Sequence, residues 1–345
     1  MMNQLPILVI VTAVKITLIL VVLLTAIAYT VLMERKVLGF IQLRYGPNRV
    51  GPWGLLQPLA DAIKLIFKED FTPPSGNKVL FVLAPVITSV TAFLPFAAIP
   101  FAAQILPESL TVYGYKVDLT VAALNQGVIA DVNVGLLYVF AVGSLSVYGA
   151  VLGGWASNNK YSLLGGLRLS AQMISYELAL GLSVIGVLML AGSLSLVKIV
   201  EAQKSMWFIV YQPLGFLLFL IAAMAECART PFDLIECENE LVAGFQTEYS
   251  SMKWGLFMMG EYCHIIVASA LCTTLFLGGW QGPVLPPIAW FVIKTFALVF
   301  FFIWVRGTFP RLRFDQLMKL GWKVMLPLCL VNILITGVII QFLQR

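Results

Sequence analysis

Long runs of apolar residues are the feature of this sequence that most limits how it can fold. A helix needs roughly 20 apolar residues to cross the hydrocarbon core of a bilayer, and about eight runs approach that length. They cover residues 5–33, 79–101, 133–155, 169–191, 206–227, 253–277, 287–306 and 324–343. We therefore predict an all-α integral membrane protein, with one polytopic domain over residues 1–345 that forms a bundle of about eight transmembrane helices.

Charge content and charge position agree with this prediction. Only 11% of the residues are charged, whereas soluble domains carry about 25%. If the loop after the first run is cytoplasmic, 16 of the 22 basic residues fall on the cytoplasmic side, four on the other side and two within helices. Because cytoplasmic loops are enriched in Lys and Arg, we expect both termini on the outer side. The first run lacks a basic start and a cleavage site, which suits the cytoplasmic membrane of a bacterium.

The first cytoplasmic loop contains a short amphipathic segment at residues 55–69. Its polar residues recur at helical spacing, and an apolar stripe lies between them. The stripe consists of Leu55, Leu59, Ile63, Ile66 and Phe67. We predict a helix that lies in the membrane interface.

The sequence offers no recognisable set of cofactor ligands. Its five cysteines form no CxxC pair, and His264 is the only histidine. Neither the dinucleotide-binding glycine motif nor the P-loop motif occurs. We therefore expect no metal site and no tightly bound redox cofactor in this chain.

Four ionisable residues lie within the apolar runs: Lys15, Glu177, Glu261 and Lys294. Each costs about 3 kcal/mol near the bilayer centre on insertion scales. The two glutamates are therefore candidates for function in a polar interior. The alternative is a structural ion pair or a side chain that reaches the interface. That alternative is favoured for Lys15 and is as good as a functional role for Lys294.

Residues 226–253 form a loop rich in carboxylates, with only Arg229 and Lys253 as cations. Neighbouring carboxylates in an apolar setting cannot all ionise freely, so such a group can take up and release protons. The alternative is a solvated acidic loop.

Two further loops, 34–54 and 306–323, are basic and contain Gly and Pro at turn positions. They could anchor lipid headgroups, pair with acidic residues or dock a soluble partner.

Several loop segments together resemble one family. They are ERKVLGFIQLRYGPNRVGPWGLLQPLADAIKLIFKED, NVGLLYVFAV, GWASNNKYSLLGGLRLSAQMISYEL, ARTPFDLIECENELVAGFQTEYS and RLRFDQLMKLGWK. The chain is similar, from about Glu34 to its end, to the H subunits of proton-pumping NADH–quinone oxidoreductase, respiratory complex I. One difference lies in PFDLIECE, where relatives usually read PFDLPEAE, so that Ile235 and Cys237 replace Pro and Ala.

The resemblance implies eight membrane helices at the heel of a membrane arm. Quinone, as substrate, enters from the bilayer between the first and sixth helices and the interface helix. FMN and iron–sulfur clusters belong to partner subunits. The expected partners are other membrane-arm subunits, the quinone-site and terminal-cluster subunits of the peripheral arm, and the lipid bilayer, with no nucleic acid.

The same resemblance implies roles for particular residues. Proton transfer is assigned to seven acids: Glu177, Glu226, Asp233, Glu236, Glu238, Glu240 and Glu248. The quinone passage is assigned to the first loop, its helix and the start of the last cytoplasmic loop: Glu34, Arg35, Arg44, Asp61 and Arg306. Arg311, Arg313 and Asp315 match further positions of the family's last cytoplasmic loop. We add Trp53 and Phe67 as apolar walls for the isoprenoid tail, although aromatics at an interface are usually anchors.

Two other functions stay open at this point. One is the equivalent subunit of a ferredoxin–plastoquinone oxidoreductase or of a membrane-bound hydrogenase, and the NNKYSLLGGLR stretch fits the photosynthetic relatives as well. The other is a stand-alone transporter that exchanges ions through the same acids. Such a transporter usually shows an inverted repeat with paired broken helices, and we find no repeat in the sequence.

Overall fold

The chain folds into a helical bundle. The computed structural model describes residues 5–74, 76–103, 109–112, 115–118, 127–233 and 242–343. The α-helices of these residues are α1 Leu5–Ile41, α2 Gln57–Phe67, α3 Lys78–Phe93, α4 Gly135–Ser144, α5 Ser146–Ala156, α6 Lys160–Ala191, α7 Leu196–Ala202, α8 Phe208–Tyr211, α9 Pro213–Glu226, α10 Ser251–Phe276, α11 Pro287–Thr308, α12 Phe314–Lys319 and α13 Leu326–Leu343. Short 3₁₀ turns lie at Pro52–Gly54, Leu94–Ala97 and Gly244–Gln246, and a π-helical segment, Leu320–Met325, joins α12 to α13.

Seven helical spans among the described residues are long and apolar enough to cross a membrane. They are residues 12–41, 78–97, 135–156, 160–191, 251–276, 287–308 and 314–342. These spans confirm the predicted all-α membrane fold. The span in α10 is the most enclosed, because 61% of its most apolar stretch is buried inside the protein. The corresponding share is 22% for the first and the last span. The first and last helices therefore present most of their surface outwards.

The predicted run at 206–227 is the one that does not form a single long helix. Pro213 has no N–H to continue a helix, and Gln212 before it has a non-helical backbone conformation (φ −129°, ψ 54°). The chain is therefore divided into α8 and the 14-residue α9. Gln212 is buried, donates to the Thr336 hydroxyl at 2.7 Å and accepts from the Asn332 amide at 3.0 Å.

Two spans begin earlier than hydropathy predicts. Helix α6 starts at Lys160, nine residues before the apolar run, because the Asn159 side chain accepts from the Tyr161 amide at 3.0 Å and caps the helix. The last span starts at Phe314 through α12 and the π-helical segment. Both extensions carry basic residues. They lie on the same side of the bundle as the described loop residues 42–74, 157–159, 227–233, 242–250 and 309–313, which we call the basic side.

Helix α2 forms within the predicted amphipathic segment. It has no buried residue, and Leu59 and Phe67 on it are exposed. It lies across the basic ends of α1 and α10, because Arg35 pairs with Asp61 at 2.6 Å and the Ser251 hydroxyl donates to the Leu65 carbonyl at 3.0 Å. On the opposite side of the bundle a small antiparallel hairpin pairs Ser109–Val112 with Tyr115–Asp118.

Close packing around α6 depends on small residues. A methyl group added at Gly165 would lie 2.6 Å from the Cα of Gly244, which is backbone and cannot rotate away. Small residues commonly allow such close approach in membrane bundles. On the same helix, a methyl group added at Gly181 would have no heavy atom within 4 Å.

We expect Gly165→Ala to destabilise the protein by about 1–3 kcal/mol, because α6 and the 242–250 loop must separate. Gly181→Ala is the matched control and should be neutral, or stabilising by about 0.5–1 kcal/mol, since alanine favours a helix. Thermal unfolding of the purified protein in detergent measures both. Equal stability of the two variants would contradict the close contact at Gly165.

Candidate functional site

Four charged side chains meet where α1, α9, α10 and α11 approach the basic side. Glu34 on α1 accepts a hydrogen bond from Arg306 on α11. Arg229, just after α9, has Nη1 3.7 Å from Glu34 Oε1 and Nη2 3.5 Å from Glu261 Oε2 on α10. We call Glu34, Arg229, Glu261 and Arg306 the charge cluster. It joins carboxylates from two helices through one shared guanidinium.

The charge cluster is largely withdrawn from solvent. The side chains of Glu34 and Arg229 are 7% and 6% exposed, and that of Glu261 is 23% exposed. Arg229 also lies over the ring of Tyr262, 4.4 Å from its centroid, and Glu261 accepts from the Gln246 amide at 2.7 Å. Buried charges are tolerated only when they are paired and hydrogen-bonded, so each group in the cluster depends on its neighbours.

The position of Arg229 is set by bonds to α6 and to the last basic loop. Gln172 on α6 is buried and donates to the carbonyls of Ala225 at 2.8 Å and Phe232 at 2.9 Å. These two carbonyls flank Arg229 in sequence. The amide of Leu312 donates to the carbonyl of Pro231 at 3.0 Å. The loop after α9 is therefore held in one conformation, which directs the guanidinium between the two carboxylates.

Two small cavities lie inside the bundle, and Glu261 of the charge cluster lines one of them. The near cavity, of about 40 Å³, lies closer to the basic side and is lined by Glu261, Ser146, Met173 and other residues of α3, α5, α6 and α10. The deep cavity, of about 30 Å³, is lined mainly by apolar side chains of α4, α6, α9 and α10. Glu226 and His264 line both cavities. Each volume is enough for at least one water molecule.

Glu177 lies on α6 close to Glu226. Its carboxylate interacts with Ser144 at the end of α4, and its charge acts on Glu226. Glu226 is itself close to the α4 backbone, since a methyl group added at Gly143 would be 3.7 Å from Glu226 Oε1. Glu226 therefore shares the near cavity with Glu261 and lies close enough to Glu177 for their charges to interact.

The other acids of the predicted proton-transfer group are placed differently. Asp233 is buried and pairs with Arg311 at 3.3 Å. Glu248 accepts from the Asn159 amide at 2.8 Å, beside the start of α6. Glu236, Glu238 and Glu240 lie outside the described residues. In the loop before α10, burial raises the pKa of the Tyr249 phenol, so this group stays protonated near neutral pH.

The residues predicted for the quinone passage fall into two groups. Glu34 and Arg306 belong to the charge cluster, and Arg35 and Asp61 pair with each other between α1 and α2. The remaining three lie on the surface: Arg44 bonds Gln42 at 2.7 Å, and Trp53 and Phe67 are 82% and 85% exposed. Arg313 and Asp315 form an exposed pair at 3.3 Å at the start of α12.

The two lysines within the spans have structural partners. Lys294 is buried and donates to the carbonyls of Leu277, Gly279 and Gln281 at 2.6, 3.1 and 2.7 Å. These carbonyls follow the C-terminus of α10, where a cation is favourable. Lys15 donates to the carbonyl of Val128. Both contacts are on the side opposite the charge cluster.

Sequence reasoning missed the central position of Arg229 and the position of His264. Arg229 was counted only as one of two cations in the acidic loop. A single arginine among many carboxylates, next to a buried helix end, was the available signal. His264 follows Glu261 by three residues and therefore shares its helix face, a spacing that could have indicated a joint role.

Comparison with known proteins gives consistent matches over nearly the whole chain. Residues 14–337 match the family described as NADH dehydrogenase. The second H subunit of NADH-quinone oxidoreductase in Geobacter sulfurreducens is 59% identical over 328 residues, which is 95% of this chain and 96% of the relative. The first H subunit of the same enzyme in Geobacter metallireducens is 60% identical over 327 residues, 95% of each chain. The H subunit from Syntrophotalea carbinolica is 56% identical over 338 residues, 97% of this chain and 98% of the relative.

The charge cluster gives a stability prediction. Arg229→Met should destabilise the protein by about 3–5 kcal/mol, because it leaves buried carboxylates without their shared cation. Arg35→Met is the matched control: it removes an arginine from a half-exposed pair and should cost at most about 1 kcal/mol. Thermal or denaturant unfolding in detergent compares the two variants. If Arg229→Met were as mild as Arg35→Met, the cluster would not be buried as described.

Proposed function

Because the chain belongs to the NADH dehydrogenase family, among the H subunits of NADH–quinone oxidoreductase, we propose that it forms the membrane part of that enzyme's quinone passage and the start of its proton path. The chain is a multi-pass membrane subunit of this oxidoreductase. The single observation that carries the proposal is the line of groups from Glu34 through Arg229 and Glu261 to Glu226, which connects the basic side to the inside of the bundle.

The proposed quinone passage begins at α2. This helix exposes an apolar stripe, and an isoprenoid tail is apolar, so the two surfaces are compatible. Arg35, which pairs with α2, is the immediate neighbour of Glu34, which pairs with Arg306 in the charge cluster. A quinone carbonyl is a hydrogen-bond acceptor that an arginine can satisfy. We place the headgroup route between α2 and the charge cluster, with Trp53 and Arg44 near its mouth.

The proposed proton path uses the carboxylates in the order in which they lie. Glu261 belongs to the charge cluster and lines the near cavity, Glu226 lines both cavities, and Glu177 acts electrostatically on Glu226. Interacting carboxylates titrate as a group rather than singly, so a change at one end alters protonation at the other. Glu236, Glu238 and Glu240, with Asp233 and Glu248, are proposed as further acids of the same path.

Coupling between the two processes is proposed to run through Arg229. Its guanidinium is nearly equidistant from Glu34 at 3.7 Å and Glu261 at 3.5 Å. Quinone reduction near Glu34 and Arg306 changes the local charge, which changes how strongly Glu34 attracts Arg229. A shift of the guanidinium towards Glu34 weakens its hold on Glu261 and favours protonation of that carboxylate. In this way a redox event at the basic side starts proton transfer inside the bundle.

Electrons reach the quinone through other subunits in this proposal. FMN and iron–sulfur clusters are carried by partner subunits of the peripheral arm, and this chain supplies a docking surface on its basic side. Both termini lie on the outer face of a bacterial cytoplasmic membrane, as the distribution of Lys and Arg indicates.

The first test asks what assembles with the chain. A tagged chain, extracted in mild detergent, should bring down a large complex with iron–sulfur signals and inhibitor-sensitive NADH–quinone reductase activity. A complex that accepts electrons from ferredoxin or hydrogen instead would assign the chain to a ferredoxin–plastoquinone oxidoreductase or to a membrane-bound hydrogenase. A stable chain without partners or cofactors would favour a transporter and reject the proposal.

The second test addresses the proton path. Glu226→Gln should assemble but lower quinone-coupled proton translocation roughly tenfold or more, because the amide cannot carry a proton. Glu201→Gln, on an exposed carboxylate of α7, is the matched control and should behave as the unmodified protein. Proton uptake in membrane vesicles measures both. Normal pumping by Glu226→Gln, or by both Glu236→Gln and Glu240→Gln, would overturn the path.

A further inference from the structure

Two buried polar atoms in the near cavity have no protein partner. Within the described part of the chain, His264 Nε2 and Ser146 Oγ are enclosed and make no hydrogen bond to protein. Both residues line the near cavity. Most buried polar atoms have at least one hydrogen-bond partner, and leaving one without costs about 1–3 kcal/mol. Two such atoms in one cavity indicate that the cavity holds a polar ligand.

Water is the ligand that fits this cavity. Its volume of about 40 Å³ exceeds the roughly 10–15 Å³ that one water molecule requires. A buried water also needs two to four polar partners. The near cavity offers His264 Nε2, Ser146 Oγ and the carboxylates of Glu226 and Glu261. Purely apolar cavities stay dry, but this one combines space with acceptors and donors.

His264 occupies a particular position relative to the two carboxylates. It follows Glu261 by three residues on α10, so the two side chains share one helix face. It also lines both cavities together with Glu226. The imidazole therefore shares the near cavity with both Glu261 and Glu226, and the deep cavity with Glu226.

We propose that His264, with Ser146, completes a water-bridged proton relay between Glu261 and Glu226. This inference rests on the proposed proton path and adds to it a residue that is not an acid. The proton leaves the carboxyl group of Glu261 and is transferred through a water molecule in the near cavity that Ser146 holds. It then binds Nε2 of His264, and the new Nε2–H bond makes the ring an imidazolium. The Nε2–H bond then breaks as the proton reaches Glu226, and the imidazole returns to its starting form.

The surroundings suit this step. The charged groups that line the near cavity together with the ring are Glu226 from α9 and Glu261 from its own helix, and Arg229 lies 3.5 Å from Glu261. From α3 and α5 the polar cavity residues are Thr88 and Ser146, which are uncharged. A neutral imidazole can accept a proton at Nε2 and then release it, and the carboxylates that line the same cavity are groups that can give and take this proton.

The test compares two variants of His264 in the assembled enzyme. His264→Asn keeps a polar side chain that can hold water but cannot carry a proton, and His264→Leu removes both abilities. Cys227→Ala is the matched control, because Cys227 lines the same two cavities. The measurements are the amount of assembled complex, quinone-coupled proton translocation in vesicles, and the solvent deuterium isotope effect on turnover.

The relay predicts that both His264 variants assemble and translocate protons roughly tenfold more slowly, with a larger isotope effect because proton transfer has become limiting. Cys227→Ala should match the unmodified protein. If His264→Leu fails to assemble, His264→Asn decides the question. Unchanged pumping and isotope effect in His264→Asn, together with impaired Glu226→Gln, would reject the relay and leave the path standing.

Two other results would also count against the relay. Unchanged pumping in both Glu226→Gln and His264→Asn would reject the proposed path and the relay with it. Equal slowing in Cys227→Ala and His264→Asn would mean that the shape of the cavities, rather than proton transfer by the imidazole, controls the rate.

Discussion

The sharing of Arg229 between Glu34 and Glu261 is the interaction on which the basic half of the bundle depends. In a medium of low dielectric constant a charge without a partner is strongly unfavourable. The ion pairs of Arg229 with Glu34 and Glu261 therefore hold α1 and α10 against the end of α9. Arg306 on α11 pairs with Glu34, so α11 is joined to the same group of helices. The same geometry gives the cluster its proposed sensitivity, because a cation shared by two anions moves when the charge near either of them changes.

The buried charged side chains of the bundle have two different kinds of surroundings. Away from the basic side, Lys294 is fixed by three backbone carbonyls and lies 4.3 Å from the centroid of the Trp207 ring. Every contact of this ammonium is with fixed backbone or ring atoms, so its role is to cap α10. Around Glu226 and Glu261 the contacts include cavities and neighbouring acids instead. Fixed backbone carbonyls suit a structural role for a buried cation. Neighbouring carboxylates beside a cavity that can hold water suit the exchange of protons.

Hydropathy and helical periodicity were sufficient for most of the fold and for part of the site. They located the spans and α2, and the cost of charge in the membrane singled out Glu177 and Glu261. They could not show that Pro213 divides a helix at Gln212, because many membrane helices tolerate proline. They also could not show that Glu34 meets Arg306, since that contact joins residues 272 positions apart. Juxtapositions of this kind arise only from the packing of the bundle.

The arrangement of the cavities bears on how a proton path can avoid leaking. A continuous file of water through the bundle would let protons flow down their gradient without any redox event. Here the near and the deep cavity are both small, and their linings share Glu226, Cys227 and His264. In the proposed path, a proton that passes between the two cavities is carried by Glu226 and His264, whose protonation depends on the charges around them. Small cavities then leave the control of proton movement to a few titrating groups.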